Sequence, residues 1–432
     1  MLVVMYAKCG FLDLAQGAFE KLPARDIVSW NSLVTGYANH GYNEKVLQCF
    51  EQMQLEGISP SAITFACSLK ACGNVGAVET SGKIHTEIVV KGLLERDIMV
   101  GNSLVDLYVK SGSLVKAQEV FDKLPVRTVV SWTSLFNGYI EHGPSEEAIS
   151  CFNEMLLEGV HPDAIAFVSC LKACSCIGAI EKGENLHLEI EKRGLLEDPA
   201  VGCALISMYA KCGFLKKARK VFDKLAVQNV FSWTALISGY AEQGHGEEAL
   251  DCLAHMSLEG LSPDDVTYLC ILKACGYAGA IGKGREIHAQ LERNGLLESD
   301  PAAGIALVDM YCKCGSLDLA QEVFDKLPVQ DTTSWNSLMA GYAQLGESEN
   351  VLNVFDSMLK ESIKPNNITF VIILNACSRI GLFNSSLMYL EAMSRDYGII
   401  PTAEHHACIV DIFARVGQID MALAMVKRLP FN

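Results

Sequence analysis

The His-x-Glu triplets His85-Thr86-Glu87 and His187-Leu188-Glu189 are the residues whose spacing first suggests chemistry. A zinc deaminase holds its ion with such a histidine and a downstream Cys-x-x-Cys, while the glutamate moves the proton. The chain has 17 cysteines, yet no Cys-x-x-Cys occurs in its 432 residues. A third copy of the triplet reads His288-Ala289-Gln290, without the glutamate. The triplet is therefore a recurring consensus, and neither a metal nor another cofactor is expected. The sequence also lacks a phosphate-cradling Gly loop and a nucleophile elbow, so no catalytic residue is assigned and the chain is read as a non-enzyme. The cysteines recur as well: Cys72, Cys174, Cys275 and Cys377 in KAC or NAC, and Cys9, Cys212 and Cys314 in KCG. Small side chains at tight helix contacts explain them, as free thiols in a reducing compartment.

That recurrence leads to the elements. All four tryptophans follow a serine, at Trp30, Trp132, Trp233 and Trp335, with intervals of 102, 101 and 102 residues. One block has been copied along the chain, and a repeat array offers an extended surface rather than one enclosed pocket. Each block contains three smaller units. The first runs from Ile27 to Ser61, with copies at Val129–Asp163, Val230–Asp264 and Thr332–Asn366, all 35 residues long. The second runs from Ala62 to Asp97, with copies at Ala164–Asp198, Asp265–Asp300 and Asn367–Thr402, 35 or 36 residues long. The third spans 31 residues at Ile98–Thr128, Pro199–Asn229 and Pro301–Asp331.

Each unit reads as a helical hairpin. In Val129–Asp163 the residues Trp132, Leu135, Phe136 and Tyr139 recur at helical spacing. Gly143-Pro144 breaks the pattern, and Ala148, Ile149, Phe152, Met155 and Leu156 form a second stripe. Gly159 then acts as a helix stop, with Pro162 beyond it. A lone hairpin cannot bury its apolar face, so neighbours must stack on it. Half the residues are hydrophobic and a fifth are charged, with no linker between repeats. No apolar run approaches the roughly 20 residues a membrane span needs, and neither a membrane nor a small-molecule substrate is expected as a partner.

The 35/36/31 alternation and the strings SWNSLVTGYA, SLKACG and LVDMYCKCGSLDLAQEVFDKLP resemble the pentatricopeptide repeat family, in its plant-type subclass with alternating P, L and S motifs. The resemblance covers essentially the whole chain. It implies an all-α fold, a right-handed α-solenoid superhelix. A truncated S unit would occupy residues 1–26, eleven contiguous units 27–402, and a terminal S unit 403–432. The closing segments MSRDYGIIPT and AEHHACIVDIFARVGQIDMALAMVKRLPFN resemble the variant motifs that precede short extensions and a DYW-type deaminase domain. Both ends therefore read as cut, and the chain as a fragment or a shortened paralogue.

The resemblance further implies sequence-specific binding of single-stranded organellar RNA, one base per unit. Processing or C-to-U editing would follow, with any deaminase supplied in trans. Mitochondrion or chloroplast is the implied compartment. In the family the fifth and last residues of a unit read the base. In the P units these are Asn31 with Ser61, Thr133 with Asp163, Thr234 with Asp264, and Asn336 with Asn366. The S-unit pair is Asn102 with Thr128, while Cys203 with Asn229 and Ile305 with Asp331 depart from the pattern. The L units carry Ala66, Val168, Leu269 and Val371 at the fifth place and are expected to read weakly or not at all. Family pairing rules assign Thr with Asp to guanine, Asn with Asn to pyrimidines and Asn with Ser to cytosine. The second residue stacks on the base: Val28, Met99, Val130 and Phe231. Recurrent Lys8, Lys110, Lys211, Lys313 and Arg415 are weaker candidates for phosphate contact. Against these readings stands helix capping, which suits Asn, Thr and Asp near helix starts. A net charge of −16 also runs against nucleic acid, although the acidic residues concentrate in second helices, as at Glu146-Glu147. The alternative function is a protein-binding scaffold of tetratricopeptide type.

Overall fold

The computed structural model describes residues 2–426; the last residues of the terminal S unit, 427–432, lie outside the described residues. The chain divides into two compact units, Met1–Ala226 and Val227–Asn432. Among the described residues every regular element is a helix, and the expected α-solenoid of stacked hairpins is what each unit contains. No described helix is long and apolar enough to cross a membrane.

The three repeat lengths have a simple physical origin. In the P units the first helix is 13 or 14 residues, as in Ile27–Asn39, and the second is 13, as in Asn43–Leu55. L units follow the same plan, with Ala62–Val75 and Val78–Val90. S units keep the 13-residue first helix, as in Ile98–Lys110, but shorten the second to nine or ten residues, as in Leu114–Asp122 and Leu215–Lys224. Four residues are about one helical turn, which is the difference between 35 and 31.

The apolar stripes pack as their spacing predicts. Trp132, Leu135 and Phe136 are fully buried on Val129–His142, as are Ala148 and Met155 on Ser145–Leu157. Leu156, grouped with that stripe by the sequence reading, is instead exposed, because it lies a residue beyond the buried Met155 and turns off the stripe. Gly159 has φ +74° and ends the second helix as expected. The tryptophans are packing residues. Trp30, Trp132 and Trp335 stand edge-on to Phe19, Phe121 and Phe324 of the preceding S unit, with centroids 4.5–4.7 Å apart. First helices of neighbouring units come very close at the glycine of SWNSLVTGYA. A Cβ on Gly341 would lie 2.1 Å from Cys312 Sγ, and one on Gly138 2.7 Å from Val109 Cγ2.

Candidate functional site

Where the first P unit meets its neighbours, a cleft of about 370 Å³ is lined by Lys8, Val28, Asn31, Thr35 and Ile63, among others. Val28 and Ile63 hold the second place of consecutive units, so the cleft has apolar walls and a polar amide at the fifth place. The second place falls just after the N-cap and off the buried stripe that starts at Trp30, which is why it stays exposed. Met99, Val130 and Phe231 are exposed in the same way, Phe231 to 70 %. So are Ile63, Ile165, Val266 and Ile368 in the L units, which the sequence reading left out. Their signal was present: an apolar residue two places after the cap in each L unit.

The fifth and last residues meet. Asn31 Oδ1 accepts hydrogen bonds from Ser61 Oγ at 2.9 Å and Thr64 Oγ1 at 2.6 Å. Asn336 Nδ2 donates to Asn366 Oδ1 at 3.1 Å, and Asn102 Nδ2 to Thr128 Oγ1 at 3.3 Å. Thr234 reaches Asp264 through Thr267, whose hydroxyl lies 2.6 Å from Thr234 Oγ1 and 2.5 Å from Asp264 Oδ1. The buried threonines Thr64, Thr267 and Thr369 at the third place of L units are a second set that sequence reasoning missed. In the second block Ala166 stands there, and Thr133 and Asp163 have no bridge. Among the described residues Thr133 Oγ1 donates only to Val129 O, at 2.7 Å, a bond that Thr234 Oγ1 also makes, to Val230 O at 2.8 Å.

Capping is real, and it belongs to the last residues. Ser61, Thr128 and Asn366 form capping boxes at the next first helix. Asp163 Oδ1 accepts from Ala166 N at 2.9 Å, and Asp264 Oδ1 from Thr267 N at 2.8 Å. The fifth residues do not cap; they sit a full turn inside their helices. Capping occupies one oxygen of each aspartate and leaves Oδ2 without a hydrogen bond among the described residues. In Asn31 the oxygen is the occupied atom, so its Nδ2 donors stay free.

The five phosphate candidates separate into two groups. Lys110 pairs with Asp106 at 2.9 Å, Lys313 with Asp309 at 2.7 Å, and Arg415 with Asp411 at 2.8 Å, each one turn back on its own helix. Lys8 and Lys211 have serine or valine at that place and no carboxylate partner among the described residues.

The His-x-Glu triplets serve packing. His85, His187 and His288 place Nδ1 2.6–2.9 Å from the hydroxyls of Tyr108, Tyr209 and Tyr311. Burial lowers the pKa of all three imidazoles. Glu87 turns to Lys91, at 2.7 Å. All seventeen thiols are free. Burial pushes Cys151, Cys275 and Cys312 up to about 12, the reverse of an activated nucleophile.

Comparison with known families matches a model described as the PPR repeat family to residues 25–74, 127–176, 228–276 and 330–379. A second, described as PPR repeat, matches 102–128, 203–230 and 306–330. A mitochondrial pentatricopeptide repeat-containing protein of Arabidopsis thaliana is 33% identical over 98% of this chain and 77% of its own length. The chain belongs to the pentatricopeptide repeat family. A chloroplastic pentatricopeptide repeat-containing protein of the same plant is 34% identical over 99% of the chain and 49% of its own length. The chain thus spans about half the length of some curated relatives it matches. Among solved structures, the pentatricopeptide repeat protein PPR10 in complex with an 18-nt psaJ RNA element superimposes with a TM-score of 0.73. That match covers 90% of this chain and 59% of PPR10 at 18% identity, a likeness of fold.

Proposed function

We propose that this pentatricopeptide repeat chain binds single-stranded RNA in a plant mitochondrion or chloroplast and selects a site by its sequence. It acts in RNA processing or C-to-U editing without catalysing it, and a deaminase in trans performs any editing. The alternating lengths support the P, L and S subclass. The observation that carries the reading is the cleft at Asn31. Apolar walls from two successive units flank an amide whose donors are unspent, which is the environment a flipped-out base requires.

Hydrogen-bond polarity supports the base assignments. Asn31 offers donors, which suit the acceptors on the Watson–Crick edge of cytosine. Asp163 and Asp264 offer a spare carboxylate oxygen, which suits the N–H donors of guanine. The asparagine pair Asn336 and Asn366 suits a pyrimidine, as does Asn102 with Thr128. With the N-terminal unit toward the 5′ end, units from Ile27 to Asn366 read C-n-Y-G-n-n-G-n-n-Y, where Y is a pyrimidine and n is unassigned. Selection of the purified chain on random RNA tests this. Enrichment of G-n-n-G in that frame supports it. Binding to peptides with no RNA enriched overturns it in favour of a protein scaffold.

A further inference from the structure

The L units carry no polar residue at the fifth place, yet three of them carry a lysine four residues further on. Lys70, Lys172 and Lys273 occupy the ninth place of Ala62–Val75, Ala164–Ile177 and Asp265–Ala278. Lys70 and Lys172 are the only Asp, Glu, Lys or Arg residues on their helices, and Asp265 is the only other on the third. Among the described residues none of the three ammonium groups has an ion-pair or hydrogen-bond partner. By contrast, Lys110 and Lys313 in the S units are neutralised by Asp106 and Asp309.

The ninth place faces the same groove as the second. Residues seven apart share one face of a helix. The P-unit cleft shows this directly, because Val28 and Thr35, seven apart, both line it. By the same register Lys70 lies two turns along from exposed Ile63, Lys172 from Ile165, and Lys273 from Val266. Lys70 and Lys172 are exposed, and Lys273 is half-exposed.

We propose that Lys70, Lys172 and Lys273 bind phosphodiester groups of the RNA, making the L units grips that hold the strand without reading it. This rests on the RNA-binding reading above. Ile63, Ile165 and Val266 cover base faces, which every base presents. Ala66, Val168 and Leu269 leave the base edge unquestioned, and the lysine holds the backbone. A compact ammonium on a flexible stem serves a phosphate as a point charge. The fourth L unit has Asn375 at this place, so it contributes no such grip.

The test is the salt dependence of RNA affinity. Wild type, the triple variant K70Q/K172Q/K273Q and the triple variant K70R/K172R/K273R are titrated with a selected RNA from about 50 to 200 mM salt. Each lost single-strand phosphate contact flattens the slope of log K against log salt by about 0.7, so the glutamine variant should lose about 2. Its base preference should stay that of wild type, and the arginine variant should keep the wild-type slope. An unchanged slope in the glutamine variant, with wild type binding RNA, overturns the grip and leaves the RNA reading intact. An altered base preference in that variant also overturns it, because the lysines would then be reading. If wild type binds no RNA, the RNA reading and the grip fall together.

Discussion

Replacing Asp163 with Asn separates base reading from capping. Asp163 Oδ1 receives the Ala166 amide at 2.9 Å and closes the N-terminus of Ala164–Ile177. Asparagine retains a carbonyl oxygen for that amide and is as good an N-cap as aspartate. Only a charge beside the helix N-terminus is lost, costing about 0.5 kcal/mol at an exposed site. Asp163→Ala loses the cap as well and should cost about 1.5 kcal/mol. At the second carboxylate atom the chemistry inverts. Oδ2 only accepts hydrogen bonds, whereas the amide nitrogen that replaces it only donates. Guanine then loses an acceptor for its N–H groups, while adenine, whose N1 accepts, gains a donor. A discrimination of about 1–3 kcal/mol, by analogy with side-chain readout of DNA bases, is roughly five- to 150-fold in affinity. The assay is parallel selection on random RNA for wild type and both variants, with urea denaturation of each. The first guanine should shift toward adenine in Asp163→Asn. The second, served by Thr234 and Asp264, should hold as an internal control. A stable Asp163→Asn protein that keeps guanine at the first position refutes the claim that Oδ2 faces a base. Destabilisation equal to that of Asp163→Ala refutes the capping account.

Two glycines on helices should respond oppositely to alanine. Gly82 has open space around its Cβ direction, so Gly82→Ala should stabilise by up to about 1 kcal/mol; Gly341→Ala drives a methyl into Cys312 and should destabilise by about 1–3 kcal/mol, both read by thermal denaturation. His85, His187 and His288 have pKa values lowered by burial, so the folded chain takes up their protons less readily than the unfolded chain. Stability should be fully present above about pH 6.5, their unfolded value, and fall as pH drops through the folded values; replacing all three with Gln should flatten a melting profile between pH 7 and 5. Thiol-labelling kinetics should show Cys9 and Cys176, both exposed, reacting at once, while buried Cys151, Cys275 and Cys312 react only on denaturation. Metal analysis of the purified chain should find no stoichiometric zinc, and about one zinc per chain would overturn the non-catalytic reading of the His-x-Glu triplets.

The helical-hairpin repeat was legible in the sequence, because helix burial repeats every three to four residues and one copied block repeats that pattern. Trp132, Leu135 and Phe136 mark a buried face by spacing alone, and the missing turn of the S units is already visible as 31 residues against 35. Even the lysine pairs were readable, since Asp106 and Asp309 stand four residues before Lys110 and Lys313. Capping by Ser61, Thr128 and Asp163 was likewise readable, as an alternative to base reading. Other features were not legible. Nothing in the sequence joins Asn31 to Thr64 or Thr234 to Thr267, each 33 residues apart, since those bonds exist only where one unit's first helix abuts the next. Nor does the spelling Thr/Asp show that Thr234 and Asp264 are bridged while Thr133 and Asp163 are not. The missing hydroxyl at Ala166, where Thr267 stands in the next block, decides it. Periodicity fixes which face of a helix leaves water. Which atoms then meet across two helices depends on how the two helices approach, and the approach exists only once neighbouring units have stacked.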